Sequence, residues 1–287
     1  MNKNIVWLVS YPKSGNTWFR MFLANYMKNT QHPVSLDEIE STPISSDPIC
    51  FEELTGLNPF ELTPDEVDLF RPEVYQVISQ ETENTGKINY KKTHDAYTLN
   101  NNGVPLFPEG ISRCAIYFIR NPLDVCVSYA KHSAVKMEKM VYLLLNDDSH
   151  LAGNKTGQLR QKVLSWKNHI KSWHEQTLIP IHIVRYEDMQ QNTIKTFGSI
   201  VNFLELEFNE ARLERAIVNS DFKLLQKMEK EKGFKEKPQI SKNFFRKGKI
   251  GNYREYLSEE QIQRIVEYNY DTMKEFEYID EQGKLTV

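Results

Sequence analysis

IVWLVSYPKSGNTWFRMFLA, residues 5–24, combines an apolar strand, a tight turn and the start of a helix whose apolar side chains recur at helical spacing. This order gathers free backbone N–H groups at one point, where an anion can bind. Pro12 fixes the chain before the turn, Gly15 lets the backbone approach a ligand closely, and Lys13 adds a cation beside the positive helix end. The stretch therefore predicts an anion site at a P-loop-like strand-turn-helix.

The turn differs from the GxxxxGK[ST] phosphate loop of nucleotide hydrolases. Lys13 precedes the glycine, and the turn has only one glycine. A P-loop kinase or NTPase would also need a Ser or Thr and a second-strand Asp to hold Mg²⁺, and neither is evident. That class stays open as an alternative, which a Mg²⁺-independent reaction would exclude.

Two later segments also suit anions. The first, IYFIRNPLDVCVSY at residues 116–129, is a strand that ends in Arg120 and turns into a helix, on which Ser128 could grip the same phosphate. Arg120 could instead pair with Asp124, its i+4 neighbour, and leave no phosphate site. The second, FRKGKIGNY at residues 245–253, places adjacent cations around a glycine. Two phosphate-sized sites beside one strand-turn-helix imply a ligand with two separated anionic ends.

With these three segments in this order, the chain resembles the sulfotransferase family over nearly its whole length. The early turn is similar to the family's 5′-phosphosulfate loop, the segment from Arg120 to Ser128 to its 3′-phosphate site, and RKGKIG at residues 246–251 to its late glycine motif. The resemblance implies 3′-phosphoadenosine 5′-phosphosulfate (PAPS) as the donor, 3′-phosphoadenosine 5′-phosphate (PAP) as the product, and no metal.

The resemblance also implies the site residues. The catalytic set is Lys13, Lys92 and His94, and the donor-binding set is Lys13, Ser14, Gly15, Asn16, Thr17, Trp18, Arg120, Ser128, Tyr186, Ser220, Phe222, Arg246, Lys247 and Gly248. Tyr186 would contact the adenine, with Phe222 and Trp18 on its two faces, although both could be core aromatics. The chain departs from the family at Asn16, where many members have Thr, and at residues 252–253, where many have Asp-Trp.

Sulfuryl transfer parallels phosphoryl transfer: a nucleophile attacks in line and charge grows on the oxygen that bridges to the leaving phosphate. Lys13 can neutralise that oxygen without Mg²⁺. Neutral His94 suits removal of the acceptor proton, and Lys92, two residues away on the same strand face, could stabilise the transferring group. Taken alone, His94 would more often be structural, so a catalytically silent nucleotide-binding protein of this fold is the second alternative.

Composition places the chain among ordinary globular proteins. With 287 residues, 40% of them hydrophobic and 26% charged, it can bury one sizeable core, and we expect a single domain over residues 1–287. Three cysteines without metal-ligand spacing fit a reducing compartment. Because the first predicted strand already begins at residue 5, we expect no secretory signal. No apolar run approaches the ~20 residues of a membrane span. We therefore expect a cytoplasmic protein that binds no membrane.

The charge is unevenly distributed. The net charge of −3 argues against general nucleic-acid binding, yet residues 223–254 hold eleven Lys and Arg against three acids. Such a run is usually a solvated helix face and loop. Arg246 and Lys247 are exceptions that we expect to contact the ligand, because they lie between Gly248 and the apolar pair at residues 244–245. A cationic lid of this kind would steer a polyanionic donor to the site.

Strands separated by helices predict a three-layer α/β sandwich around a central parallel sheet. We predict strands over residues 5–10, 87–92, 113–119 and 181–185, and helices over residues 17–29, 72–83, 123–132, 158–176, 193–204, 209–219 and 258–276. Residues 41–64, 100–110 and 147–156 show no periodicity. Ligands of parallel sheets bind beyond the carboxyl ends of the strands, and this is where Lys13, Lys92, His94, Arg120 and Tyr186 fall.

The acceptor is the least determined part. We expect transfer to a hydroxyl or an amine of a small apolar acceptor, an alcohol or phenol rather than a carbohydrate. Its pocket would be built from loops at residues 41–58, 97–107, 133–154 and 241–245. Its expected lining is Met137, Met140, Tyr142, Leu143, Leu144, Phe244 and Phe245, although residues 143–145 suit a buried helix turn equally well. The oligomeric state is open.

Overall fold

A computed structural model describes residues 3–153 and 157–287. Residues 1–2 and 154–156 lie outside it, including the last residue of the expected acceptor segment 133–154 and the end of the segment 147–156. In chain order the strands are β1 (Ile5–Ser10), β2 (Asn89–Thr93), β3 (Ser112–Ile119), β4 (His150–Leu151), β5 (Gln161–Lys162) and β6 (Ile181–Arg185). The central sheet has the order β2-β1-β3-β6 and is parallel throughout, while β4 and β5 form a small antiparallel pair.

Helices flank the sheet. They are α1 (Asn16–Lys28), α2 (Pro48–Thr55), α3 (Pro64–Glu83), α4 (Pro122–Ser133), α5 (Met137–Leu145), α6 (Trp166–His174), α7 (Tyr186–Gln191), α8 (Thr193–Phe203), α9 (Glu210–Asn219), α10 (Phe222–Lys232) and α11 (Glu259–Glu275). The described part of the chain contains no helix of sufficient length and apolarity to cross a membrane.

The sheet separates two hydrophobic cores because successive side chains of a strand point to opposite faces. Trp7 and Val9 of β1 pack into a core with α3, α4, α5, α6 and α11. Val6 and Leu8 of the same strand pack into a second core with α1, α8 and α9. Every residue of β1 is buried, as expected for the inner strand of a covered parallel sheet. The predicted three-layer α/β fold is confirmed.

The predicted helix over residues 72–83 is too short, because Pro72 does not mark a helix start. The helix, α3, begins two turns earlier at a capping box of Thr63 and Glu66, and Pro72 lies in its interior. Proline cannot donate to the carbonyl four residues before it. Here the carbonyl of Asp68 accepts a hydrogen bond from Asn100 Nδ2 instead, at 3.3 Å, so the helix continues.

Other differences arise where tertiary packing outweighs the sequence pattern. The predicted helix 158–176 is wrong over its first half, where β5 pairs with β4, and α6 begins only after Ser165, whose side chain caps it. The segments 41–64 and 133–154, expected to be loops, contain α2 and α5. The charged segment from Phe222 forms α10, a helix without predicted bounds in a run that was expected to be a solvated helix face and loop.

Candidate active site

A cavity of about 850 Å³ opens at the carboxyl edge of the central sheet. Its wall includes the turn after β1 and the residues just beyond β2, β3 and β6. Of the predicted site residues, it contains Lys13, Ser14, Gly15, Asn16, Thr17, Trp18, Lys92, His94, Arg120, Ser128, Tyr186, Phe222, Arg246, Lys247 and Gly248. Ser220 is buried outside the wall, where its carbonyl accepts a hydrogen bond from Trp18 Nε1 at 3.0 Å.

The turn after β1 is tightly folded. Lys13 has the left-handed φ of 71° and Gly15 a φ of 103°. A Cβ on Gly15 would lie 2.8 Å from Cδ2 of Tyr186, so glycine is required there for two reasons: its backbone angle and the close approach of the ring. Because α1 begins at Asn16, its first N–H groups lack partners within the helix and face this turn.

Buried polar atoms without partners mark where a ligand would bind. Among the described residues, Ser14 Oγ, Asn16 Oδ1 and Arg120 Nε are buried and make no hydrogen bond. Buried polar groups of this kind are normally satisfied, so unpaired ones call for an explanation. Ser14 Oγ and Arg120 Nε are donors on the cavity wall and fit a bound anion, whereas Asn16 Oδ1 can only accept a hydrogen bond. Asn16 also has a structural role, since its Nδ2 donates to the carbonyl of Leu8 at 2.8 Å.

Arg120 faces the cavity despite its neighbour Asp124. Its guanidinium lies 4.2 Å from the centre of the Tyr186 ring and donates to the carbonyls of Lys13 and Lys249, each at 3.2 Å. The pair with Asp124 is long, at 3.9 Å. The Asp124 carboxylate instead accepts the backbone N–H groups of Gly251 and Tyr253 at 2.8 and 3.0 Å. Asp124 therefore fixes the late glycine segment, and Arg120 stays beside the cavity.

The late segment joins the cavity through Gly248. Its φ is 62°, and a Cβ there would lie 2.9 Å from Cζ of Phe222, so the ring packs flat against the glycine. The Gly248 carbonyl accepts a hydrogen bond from the Tyr186 hydroxyl at 2.8 Å. Lys247 points away, to the carboxylate of Glu255 at 2.6 Å. Two of the three predicted adenine contacts, Tyr186 and Phe222, are thus linked by one glycine.

His94 is held in one tautomer. Its Nδ1 lies 2.7 Å from the carbonyl of Ser10, which can only accept, so Nδ1 carries the proton and Nε2 has a free lone pair. His169 supports this arrangement, because its Nε2 donates to the carbonyl of His94 at 3.1 Å and its Nδ1 accepts from Tyr117. Burial, with the nearby Lys92 charge, holds the pKa of His94 well below 6.5. The ring is therefore neutral at pH 7, as a general base must be.

Lys13 has an unusual environment. Its Nζ lies 3.4 Å from Nδ1 of His132 and 4.1 Å from the centre of the Phe244 ring. Burial, followed by the charges of Lys92 and Arg120, lowers the pKa of Lys13 to about 7. A bound polyanion would favour the charged form again.

Among the residues of the cavity wall that sequence reasoning missed are Arg20, His132 and Glu236. The Glu236 carboxylate bridges Arg20 Nη1 at 2.8 Å and Lys92 Nζ at 3.0 Å. His132 lies on α4 one helical turn after Ser128, and that spacing was the signal that could have placed it in the site. No pattern indicated Glu236, because it follows a run of lysines that suggested a solvated surface.

The expected acceptor lining needs correction. Met140 and Leu144 of α5 are buried in the core, and Tyr142 is exposed, so α5 does not line the cavity. Its amphipathic pattern reflects packing against α4 and α11. Of the expected residues, only Phe244 and Phe245 are in the wall, together with Ile44, Leu151 and Ile240.

The chain is similar in sequence to known proteins. A family model described as Sulfotransferase domain matches residues 3–277. An amine sulfotransferase of Oryctolagus cuniculus is 24% identical, over 94% of this chain and 81% of that protein. Cytosolic sulfotransferase 14 of Arabidopsis thaliana is 26% identical, over 90% of this chain and 72% of that protein.

Solved structures share the fold. A mouse sulfotransferase complexed with PAP superimposes with a TM-score of 0.58 at 20% identity, covering 95% of this chain and 84% of that one. A retinol dehydratase in complex with androsterone and the inactive cofactor PAP gives 0.53 at 16% identity, covering 96% and 82%. At these identities the likeness establishes the fold alone.

Proposed function

Because the chain belongs to the sulfotransferase family, we propose that it transfers the sulfuryl group of PAPS to a hydroxyl or amine of a small, largely apolar acceptor. One observation carries the proposal: three anion-suited segments, far apart in the sequence, line one cavity with a neutral histidine and two lysines. PAPS would supply an activated sulfuryl group with PAP as the leaving group.

We assign the two ends of the donor to separate parts of the cavity. The N–H groups at the start of α1, with Ser14 and Thr17, would hold the 5′-phosphate. Arg120, Ser128 and Arg246 would hold the 3′-phosphate. The adenine would lie near Trp18, Tyr186 and Phe222. The unpaired Ser14 Oγ and Arg120 Nε support this division, because each is a donor on one of the two anion sites.

The chemistry needs a base and cations. His94 Nε2 would take the acceptor proton, since its lone pair is free and its Nδ1 is fixed on Ser10. Lys13 would neutralise charge that grows on the bridging oxygen, and Lys92 would stabilise the transferring group. The two lysines supply the positive charge and His94 the base, so the reaction we propose requires no metal.

The acceptor class is supported by the wall beyond the donor residues. Ile44, Leu151, Ile240 and Phe244 form an apolar part of that wall, which also contains His132 and other polar side chains, among them Glu40, Asp47 and Gln158. Relatives of the chain are named for an amine and for a flavonol, so both nitrogen and oxygen acceptors are consistent with the family. A nucleic acid or a membrane is not among the partners we propose.

We infer a cytoplasmic site of action. Cys50, Cys114 and Cys126 are all unpaired thiols, which suits a reducing compartment. Several relatives carry the name cytosolic sulfotransferase.

The test is a search for the acceptor. A cell extract is incubated with the protein and ³⁴S-labelled PAPS, and mass spectrometry identifies products that gain the labelled sulfuryl mass. We expect labelled products to form with release of PAP, unchanged by EDTA, and to be absent with His94→Ala. PAP release without any labelled product, or full activity in that variant, would contradict the proposal.

A further inference from the structure

Glu236 is the one carboxylate of the cationic segment 223–254 that reaches the two cations at the base of the cavity. It lies between α10 and the late glycine motif. Each of its oxygens contacts a different cation, Arg20 at 2.8 Å and Lys92 at 3.0 Å. Despite the burial that opposes ionisation, these two cations lower the pKa of Glu236 to about 2, so it is an anion at neutral pH.

The two partners of Glu236 differ in their freedom to move. The Arg20 side chain is 1% exposed, and its other nitrogens donate to Thr42 and to the carbonyl of Ile39. Within the described part of the chain, Glu236 is the only hydrogen-bond partner of the Lys92 ammonium. Arg20 is thus a fixed anchor, while the Lys92 ammonium can exchange one anion for another.

We propose that Glu236 sets how strongly the site binds PAPS relative to PAP, because its carboxylate pairs with the lysine that the sulfuryl group of the donor would need. The inference rests on the proposed function. PAPS and PAP differ in the sulfuryl group alone. The Glu236 carboxylate beside Lys92 would therefore oppose the binding of PAPS, whose sulfuryl group competes for Lys92, and would hardly affect the binding of PAP.

The charges around Lys92 make this competition strong. Five side chains change the pKa of Lys92 or have their own pKa changed by it: Lys13, Arg20, His94, His132 and Glu236. Both histidines have lowered pKa values, so Glu236 is the anion of this group. A like charge within a side-chain length of a bound anion, in a partly buried site, changes its binding constant about fivefold or more.

The experiment compares the dissociation constants of PAP and PAPS by calorimetry at pH 7, without acceptor, for the wild type and Glu236→Gln. Chromatography verifies that PAPS stays intact during the titration. We expect the ratio Kd(PAP)/Kd(PAPS) to rise about fivefold or more in the variant. If Glu236→Gln does not fold, Glu236→Asp keeps the charge near Arg20 but shortens its reach to Lys92, and a rise in the same direction is expected.

Two control variants separate this effect from others. Glu229→Gln removes a carboxylate that accepts the N–H groups of Phe244 and Phe245, so it loosens the same segment without freeing Lys92. Glu231→Gln makes the same change in net charge outside the cavity wall, where Glu231 pairs with Lys227 at 3.9 Å. We expect the ratio to stay at the wild-type value in both.

An unchanged ratio in Glu236→Gln, with tight PAP binding, would overturn the inference and leave the proposed function intact. A lower ratio would overturn it too, because Glu236 would then serve to keep Lys92 charged for the donor. Failure of the wild type to bind PAP would instead overturn the proposed function, and this inference with it.

Discussion

At the scale of single residues, Lys13 is the cation that we assign to the leaving group. We predict that Lys13→Ala lowers kcat and kcat/KM together, by about 10²-fold or more, while PAP affinity changes less, because the charge acts mainly in the transition state. Steady-state kinetics and calorimetry on the same preparation measure both. Unchanged kcat would remove Lys13 from the mechanism.

The pKa of Lys13 adds a pH dependence. In the free protein this pKa is about 7, so the charged form prevails below pH 7 and is lost as the pH rises through it. We expect kcat/KM to fall on the alkaline side of pH 7, and kcat to fall only at higher pH because the bound donor raises the pKa. Lys13→Arg stays charged over this range, so its residual activity should lack that alkaline limb. A limb that persists in Lys13→Arg would assign it to another group.

His94 is the second residue-scale test. General base catalysis typically contributes about 10²–10⁴-fold, so His94→Ala should lose at least about 10²-fold in kcat and still bind PAP. His94→Gln should not restore activity, because an amide cannot take the proton. Since the pKa of His94 is held well below 6.5, the acid limb of kcat/KM should lie well below pH 6.5. Near-wild-type turnover by either folded variant would return His94 to a structural role.

At the scale of elements, Gly248 connects the late segment to the adenine contacts. Gly248→Ala places a methyl group 2.9 to 3.1 Å from the Phe222 ring and strains the backbone by about 1–2 kcal/mol. We predict a loss of PAP affinity of about tenfold or more. Gly56→Ala is the matched control, because Gly56 also has a positive φ of 70° but its Cβ would meet open space. It should lose similar stability and keep PAP affinity; equal losses of affinity would contradict the role of Gly248.

Elements differed in how well the sequence predicted them. The strands before Lys13 and Arg120 were readable because a buried parallel strand is a continuous apolar run ended by a turn. The start of α3 could not be predicted, because a proline is typical of the first turn of a helix. Pro72 is tolerated inside α3 because Asn100, distant in the sequence, donates to the carbonyl that the proline leaves without a partner. The position of α5 against α4 also depends on tertiary packing, which no local pattern encodes.

The same contrast holds for the site. Lys13, Arg120 and Tyr186 could be placed together because carboxyl ends of parallel strands share one edge of the sheet. Glu236 could not, because it lies on no strand and reaches Arg20 and Lys92 across more than 140 residues of sequence.

At the scale of the whole molecule, buried histidines make stability depend on pH. The pKa values of His132 and His169 are lowered to about 3, by burial in both, and that of His94 is lowered as well. In the unfolded chain these groups titrate near 6.5, so the unfolded state binds more protons below that pH and the folded state loses stability as the pH falls. Each contributes a loss of about 1.4 kcal/mol per pH unit below it.

Urea denaturation between pH 7.5 and 5 measures this effect. We expect the free energy of unfolding to fall toward pH 5. His169→Gln, which does not titrate, should flatten the curve while lowering stability at pH 7, because Nδ1 and Nε2 of His169 both make hydrogen bonds. A wild-type curve without slope would show that these histidines are not neutral in the folded protein.

If one cavity binds a nucleotide with two separated phosphates, the protein should select its nucleotide without any acceptor present. Calorimetry compares the affinity for PAP with that for 5′-AMP, which lacks the 3′-phosphate, in the wild type and in Arg120→Met. We predict that the wild type binds PAP at least about tenfold more tightly, since a charge-assisted contact contributes about 1.5–3 kcal/mol, and that Arg120→Met loses most of this preference. Equal affinity for PAP and 5′-AMP in the wild type would contradict the account.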